Sequence, residues 1–179
     1  MQDFNAILAG FGGQGILFMG KAIAYAGLID EKEVSWLPSY GPEMRGGTAN
    51  CSVCISDNEI CSPLVTAPNV LIAMNLPSYD KFIDTVVPGG TVILDSTLIS
   101  KKVERTDVNV CYIPATELAE KNGLKGLANI ILIGKLLEMT KFCSYETLEK
   151  TIAKVVPAKK QHLIPKNMEA IDIGINYKN

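Results

Sequence analysis

Gly10-Phe11-Gly12-Gly13-Gln14-Gly15 is the stretch whose residue types and spacing could do chemistry, and that chemistry is anion binding. It follows the apolar run Phe4 to Ala9 and precedes a helix-like stretch, Ile16 to Ile29. Glycines let backbone N–H groups approach a ligand closely, and a helix that starts there aims the positive end of its dipole at the same point. Gly10, Gly12, Gly13, Gln14 and Gly15 are therefore candidate contacts for an anionic cofactor group. The spacing also satisfies the dinucleotide fingerprint G-x-G-x-x-G in its strand-to-helix setting. A nicotinamide enzyme, however, needs a ribose-binding acid at the tip of the second strand, about 20 residues on. Here that strand, Val34 to Leu37, runs into Pro38-Ser39-Tyr40, while Glu31 and Glu33 precede it, at the wrong end. The turn is thus expected to hold an anion or a close packing contact without gripping a whole dinucleotide. It is not a Walker A loop either, because Lys21 comes too late.

A second unusual segment runs Ser39-Tyr40-Gly41-Pro42-Glu43-Met44-Arg45-Gly46-Gly47-Thr48-Ala49-Asn50-Cys51. It should leave the carboxyl end of the second strand, the edge at which open α/β sheets place their ligands. Two readings are open. One is a compact surface loop closed by a Glu43–Arg45 pair. The other, which we favour, is a recognition loop facing a partner through Ser39, Tyr40, Gly41, Pro42, Glu43, Met44, Arg45, Gly46, Gly47, Thr48 and Asn50.

Catalytic groups are scarce. The single histidine, His162, sits beside Lys159 and Lys160 in a helical region with nothing to bring it to the glycines, so a solvated role is expected. There is no G-x-S-x-G nucleophile elbow. Asp95-Ser96-Thr97 closes a strand and either faces the ligand edge or caps the next element. Cys51 and Cys54 spell C-x-x-C, but in an extended segment residues three apart point to opposite faces. The five cysteines are read as ordinary reduced thiols. No catalytic residue and no metal ligand is assigned.

The elements that must position these segments follow from periodicity. Branched apolar runs at Phe4 to Ala9, Val34 to Leu37, Ala49 to Ile55, Val70 to Asn75, Thr91 to Leu94 and Val108 to Ile113 predict strands. Helix-like pieces fall at Ile16 to Ile29, Leu76 to Val87 and Ala115 to Lys121. From there onward the chain is helical: Leu127 to Met139 is apolar nearly all round, Tyr145 to Val156 is amphipathic, and Ile164, Met168, Ile171 and Ile175 form a stripe. Strands alternating with helices predict a Rossmann-like layered α/β fold with a mainly parallel sheet and a helical C-terminal region. Asp57-Asn58 looks like a tight turn joining Ala49 to Ile55 with Glu59 to Cys61, which predicts a β-hairpin insertion. With 179 residues, 47% of them hydrophobic, one core is expected, spanning 1–179 as a single domain. Seventeen basic against nineteen acidic residues, and only Arg45 and Arg105 as arginines, leave no footprint for nucleic acid. No apolar run is long enough to span a membrane, and no export signal is visible, so a cytoplasmic protein is expected.

Taken together, GFGGQGI at Gly10 to Ile16 and PSYGPEMRGGTANC at Pro38 to Cys51 resemble the gamma subunit of 2-oxoacid:ferredoxin oxidoreductases, in the 2-oxoglutarate and 2-oxoisovalerate branches. The similarity continues through Asn69 to Phe82, Gly89 to Ser96, Ile113 to Thr116 and Asn129 to Gly134. The resemblance implies an accessory subunit of an enzyme that decarboxylates a 2-oxoacid on thiamine diphosphate with magnesium. It implies electron transfer through iron–sulfur clusters to ferredoxin, and release of the acyl group on coenzyme A. This sequence has no cluster cysteine pattern and no thiamine motif, so those cofactors are expected on alpha and beta thiamine-binding subunits and a ferredoxin-like subunit. None is expected to be held firmly by this chain; its glycine turn and loop would meet the partners and the coenzyme A path.

Overall fold

A computed structural model describes residues 3–39 and 48–178. Its sheet is built from β1 (Phe4–Phe11), β2 (Glu33–Ser39), β3 (Thr48–Ser56), β4 (Val70–Ala73), β5 (Thr91–Asp95) and β6 (Asn109–Ile113), in the order β2-β3-β1-β4-β5-β6. β1, β4, β5 and β6 run parallel, whereas β3 is antiparallel to both β1 and β2. The inserted hairpin is therefore β2–β3. Glu59 to Cys61 form no strand: β3 already has a neighbour on each side, so its hydrogen bonds are used. The chain leaves β3 through a turn in which Asn58 N–H donates to Ser56 Oγ and Lys32 pairs with Asp57.

The helices are α1 (Ile16–Ile29), α2 (Leu76–Phe82), α3 (Ala115–Lys121), α4 (Ala128–Thr140), α5 (Tyr145–Val155) and α6 (Ile164–Asn176). The apolar runs of β1, β4 and β5 are buried on both sides, as central parallel strands require. One face carries Ala6, Leu8, Val53, Ile72 and Ile93 and is covered by α1, α3, α4, α5 and α6. The other carries Ile7, Ala9, Leu71, Val92 and Leu94 and is covered by α2 and by Val65 and Ile99 from two connections. The small residues of α1 serve packing: Gly20 lies against Cys51 and Trp36. The C-terminal stripe docks on the chain's own core, Ile171 being wholly buried.

α2 is shorter than its sequence pattern. At Phe82 it gives way to a single tight turn, Ile83–Thr85, and Arg105 donates to the carbonyls of Ile83 and Val86 at 2.9 and 2.7 Å. Pro88 then forbids continuation.

Candidate functional site

The register places both segments singled out above on one edge. Ser39 pairs with Asn50, Asn50 with Ala9, and Ala9 with Ala73. The two flanks of the 39–50 segment thus end level with the start of the glycine turn, and both lie at the carboxyl edge of the parallel strands. Tyr40 to Gly47 lie outside the described residues.

Within the turn each residue has a separate task. Gln14 N–H donates to the carbonyl of Phe11 at 3.2 Å, closing the chain on itself. The Gln14 side chain accepts from Phe11 N–H at 2.5 Å and donates through Nε2 to the Met74 carbonyl at 3.0 Å. Its amide is therefore a strut between the ends of β1 and β4, and the ligand-facing chemistry falls to the backbone. Gly13 and Gly15 have φ of 93° and 76°, a left-handed conformation that other residues adopt only at a cost. Gly15 precedes α1 and has no side chain to cap it, and the first turn of α1 has no acidic residue. Among the described residues no side chain caps the N–H groups at the start of α1, an arrangement that suits an anion.

A cleft of ≈ 220 Å³ adjoins the turn, lined by Gly13, Gln14, Met74, Leu98, Thr116 and Lys125. Phe11, Leu76 and Leu98 stand 42%, 40% and 45% exposed. Phe11 ends β1, and Leu76 and Leu98 follow β4 and β5, so three neighbouring strands bring an apolar rim to the edge of the turn, of the kind that marks an interface. A larger cavity of ≈ 370 Å³ opens at the opposite edge between Phe4, Lys32, Ser56, Asp57 and Thr91. Its polar groups are already engaged with one another, Lys32 with Asp57 and Ser56 Oγ with Asp3 at 2.6 Å. The glycine edge is the better candidate.

The usual dinucleotide arrangement is not found among the described residues. β3 separates β2 from β1, and Glu33 opens β2 at the far edge, so the described part of β2 brings no acid to a ribose beside the turn. Asp95 is a strut, not a ligand group. Wholly buried, its carboxylate accepts from Thr97 N–H at 3.1 Å, Thr116 N–H at 3.2 Å and Thr116 Oγ1 at 2.5 Å, tying β5 to α3. His162 is exposed in the connection between α5 and α6. Asn129 was missed as a neighbour of the turn: its Nδ2 donates to the Gly15 carbonyl at 3.2 Å. The available signal was an amide at the start of the largely apolar run Leu127 to Met139.

The cysteines behave as thiols of the core. Burial pushes Cys51 and Cys143 up to about 12 and raises Cys54 and Cys111 as well. Cys61 alone is exposed. Iodoacetamide at pH 8 is therefore expected to alkylate Cys61 first, with the remaining four reacting only on unfolding, as mass mapping would show. The raised folded values carry a sign for stability. Cys51 and Cys143 ionise near 9.0 in the unfolded chain, so their stabilising contribution is full below that pH and is lost as pH rises from 9 towards 12. Urea unfolding should give a lower midpoint at pH 10.5 than at pH 8.

Comparison with known proteins agrees with this arrangement. Residues 5–177 match the family model for pyruvate ferredoxin/flavodoxin oxidoreductase. The 2-oxoglutarate synthase subunit KorC of Methanocaldococcus jannaschii is 39% identical over 93% of this chain and 89% of its own length. The ketoisovalerate oxidoreductase subunit VorA of Methanothermobacter thermautotrophicus is 38% identical over 95% of this chain, which spans only 35% of that protein. Among solved structures, the gamma subunit of a keto/oxoacid ferredoxin oxidoreductase from Geobacter sulfurreducens superposes with a TM-score of 0.81 at 28% identity, covering 96% of both chains. A 2-oxoglutarate:ferredoxin oxidoreductase from Magnetococcus marinus, solved with 2-oxoglutarate, coenzyme A and succinyl-CoA bound, superposes with a TM-score of 0.87 at 26% identity, over 97% of this chain and 30% of that one.

Proposed function

The chain belongs to the pyruvate ferredoxin/flavodoxin oxidoreductase family, and on that premise we propose that it is the gamma subunit of a cytoplasmic, thiamine-diphosphate-dependent 2-oxoacid:ferredoxin oxidoreductase. Residues 1–179 form its gamma domain. The enzyme oxidatively decarboxylates 2-oxoglutarate or a related branched-chain 2-oxoacid, passes electrons through iron–sulfur clusters to ferredoxin and transfers the acyl group to coenzyme A. Alpha and beta subunits hold thiamine diphosphate and magnesium, and a ferredoxin-like subunit holds clusters.

This chain's own contribution is binding and orientation. The observation that carries the reading is the uncapped start of α1 behind Gly12 to Gly15, beside an apolar rim on the edge where residues 39–50 begin and end. Backbone N–H groups there suit a coenzyme A phosphate, because they offer donors and a positive dipole end without a counter-charge that would need desolvation. Phe11, Leu76 and Leu98 give the partner subunits an apolar seat around that contact. Gly10, Gly12, Gly13 and Gly15 are the residues proposed to frame the coenzyme, with the segment Ser39 to Asn50 as the interface loop.

Two measurements test this. The tagged chain should co-purify with thiamine-binding partners and, mixed with them, restore 2-oxoacid- and coenzyme A-dependent dye reduction; a stable monomer that restores none overturns the reading. Gly13→Asp is the finer probe, because a side chain there meets open space and Asp tolerates positive φ better than most residues. It places a negative charge where the phosphate would sit, and the KM for coenzyme A should rise about tenfold or more, about 1.4 kcal/mol. Gly13→Asn, equal in shape and neutral, should raise it far less.

A further inference from the structure

We propose that Asn129 is the positioning residue of the glycine turn, setting the conformation through which the turn meets its anion; this role rests on the coenzyme A reading above. Asn129 lies in the first turn of α4, 4% exposed. The Gly15 carbonyl is acceptor-only, so the amide must present Nδ2 to it, at 3.2 Å. The same carbonyl accepts from Met19 N–H at 2.9 Å, the first hydrogen bond of α1. Asn129 therefore holds the oxygen on which α1 starts.

The fit is steric as well as polar. A Cβ on Gly15 would fall 2.5 Å from Asn129 Nδ2 and 2.9 Å from its Cγ, so the amide fills the space that glycine leaves. The other end of the amide works against stability. Oδ1 is buried and has no hydrogen-bond partner. An orphaned buried acceptor is a cost that an alanine would not carry, so packing alone does not explain an asparagine at this buried position of α4. What the asparagine does supply is a fixed carbonyl, and with it fixed N–H directions at Gly15 and the start of α1. Preorganised donors bind an anion better than donors that must be ordered on binding.

The test uses the assembled enzyme carrying Asn129→Ala and Asn129→Asp in this subunit. Ala removes both the donor and the orphan; Asp keeps the bulk but cannot donate when ionised. Both are expected to raise the KM for coenzyme A about tenfold while kcat changes less than twofold. Asn129→Ala should also leave the melting temperature within about 2 °C of wild type and speed hydrogen exchange at the Met19 amide. A large loss of melting temperature with an unchanged KM would make Asn129 purely structural and overturn the proposal. Should Asn129→Ala assemble poorly, Asn129→Asp, which keeps the bulk of the side chain, decides instead: an unchanged KM for coenzyme A in that variant overturns the proposal. Gly13→Asp separates the two levels of inference. If it raises the KM while Asn129→Ala does not, this role alone falls; if it leaves the KM unchanged, the coenzyme A reading falls and takes this role with it.

Discussion

Gly134→Ala, and separately Gly174→Ala, is expected to lower the melting temperature by about 2–12 °C. α4 and α6 touch backbone to backbone at these two positions. A Cβ on Gly134 would fall on the Ile171 carbonyl, and one on Gly174 on the Ile131 carbonyl and 2.8 Å from the Lys135 nitrogen. Neither neighbour is a side chain that could swing aside, so the helices must separate. Overpacking of this kind costs about 1–3 kcal/mol or more, and a domain of this size loses about 2–4 °C per kcal/mol. The sign makes the test sharp. In an exposed helix interior the same change would raise stability by about 1 kcal/mol through propensity alone, so a fall locates a close helix crossing. Because both substitutions push apart the same pair of helices, the double variant should lose less than the two losses combined. Thermal unfolding followed by circular dichroism gives all three values.

Asp95→Ala should cost about 3 kcal/mol in urea unfolding, and Asp95→Asn clearly less. The carboxylate takes hydrogen bonds from Thr97 N–H, Thr116 N–H and Thr116 Oγ1 in a site shut off from water. Hydrogen bonds to a charged group contribute about 1.5–3 kcal/mol each, and donors left behind without an acceptor add their own penalty. Asn retains one acceptor oxygen and nearly the same volume, which is why it should be milder. The effect reaches the candidate site, since Thr116 walls the cleft beside Gly13 and Gln14. If Asp95→Ala unfolded at the wild-type urea midpoint, Asp95 would be a solvated end of β5 and not the tie between β5 and α3.

All six strands and the helices α1 and α3 to α6 were legible because each announces itself within a few residues. Alternating or continuous branched runs mark buried strands, and a 3.6-residue stripe marks a helix that must lie on something. The same locality explains the errors. Glu59 to Cys61 has enough apolar character for a strand, but whether β3 has a free edge depends on β1 and β2, tens of residues away. α2 stops before its apolar pattern does, and the carbonyls just beyond its end are met by Arg105, distant in sequence. Gln14 sits in a motif that suggests ligand contact, yet its amide is spent on Phe11 and Met74.

By itself the sequence determined that this is a layered α/β chain with an anion-suited turn and a second unusual loop, because glycine spacing, hydrophobic period and the missing ribose acid are properties of neighbouring residues. Only the tertiary structure decided that β3 inserts between β1 and β2, that the ends of both segments meet one edge, and that Asn129 fills the space above Gly15. Those facts are pairings between residues far apart in the chain, fixed by which backbone groups and which volumes remain when every other element has been placed.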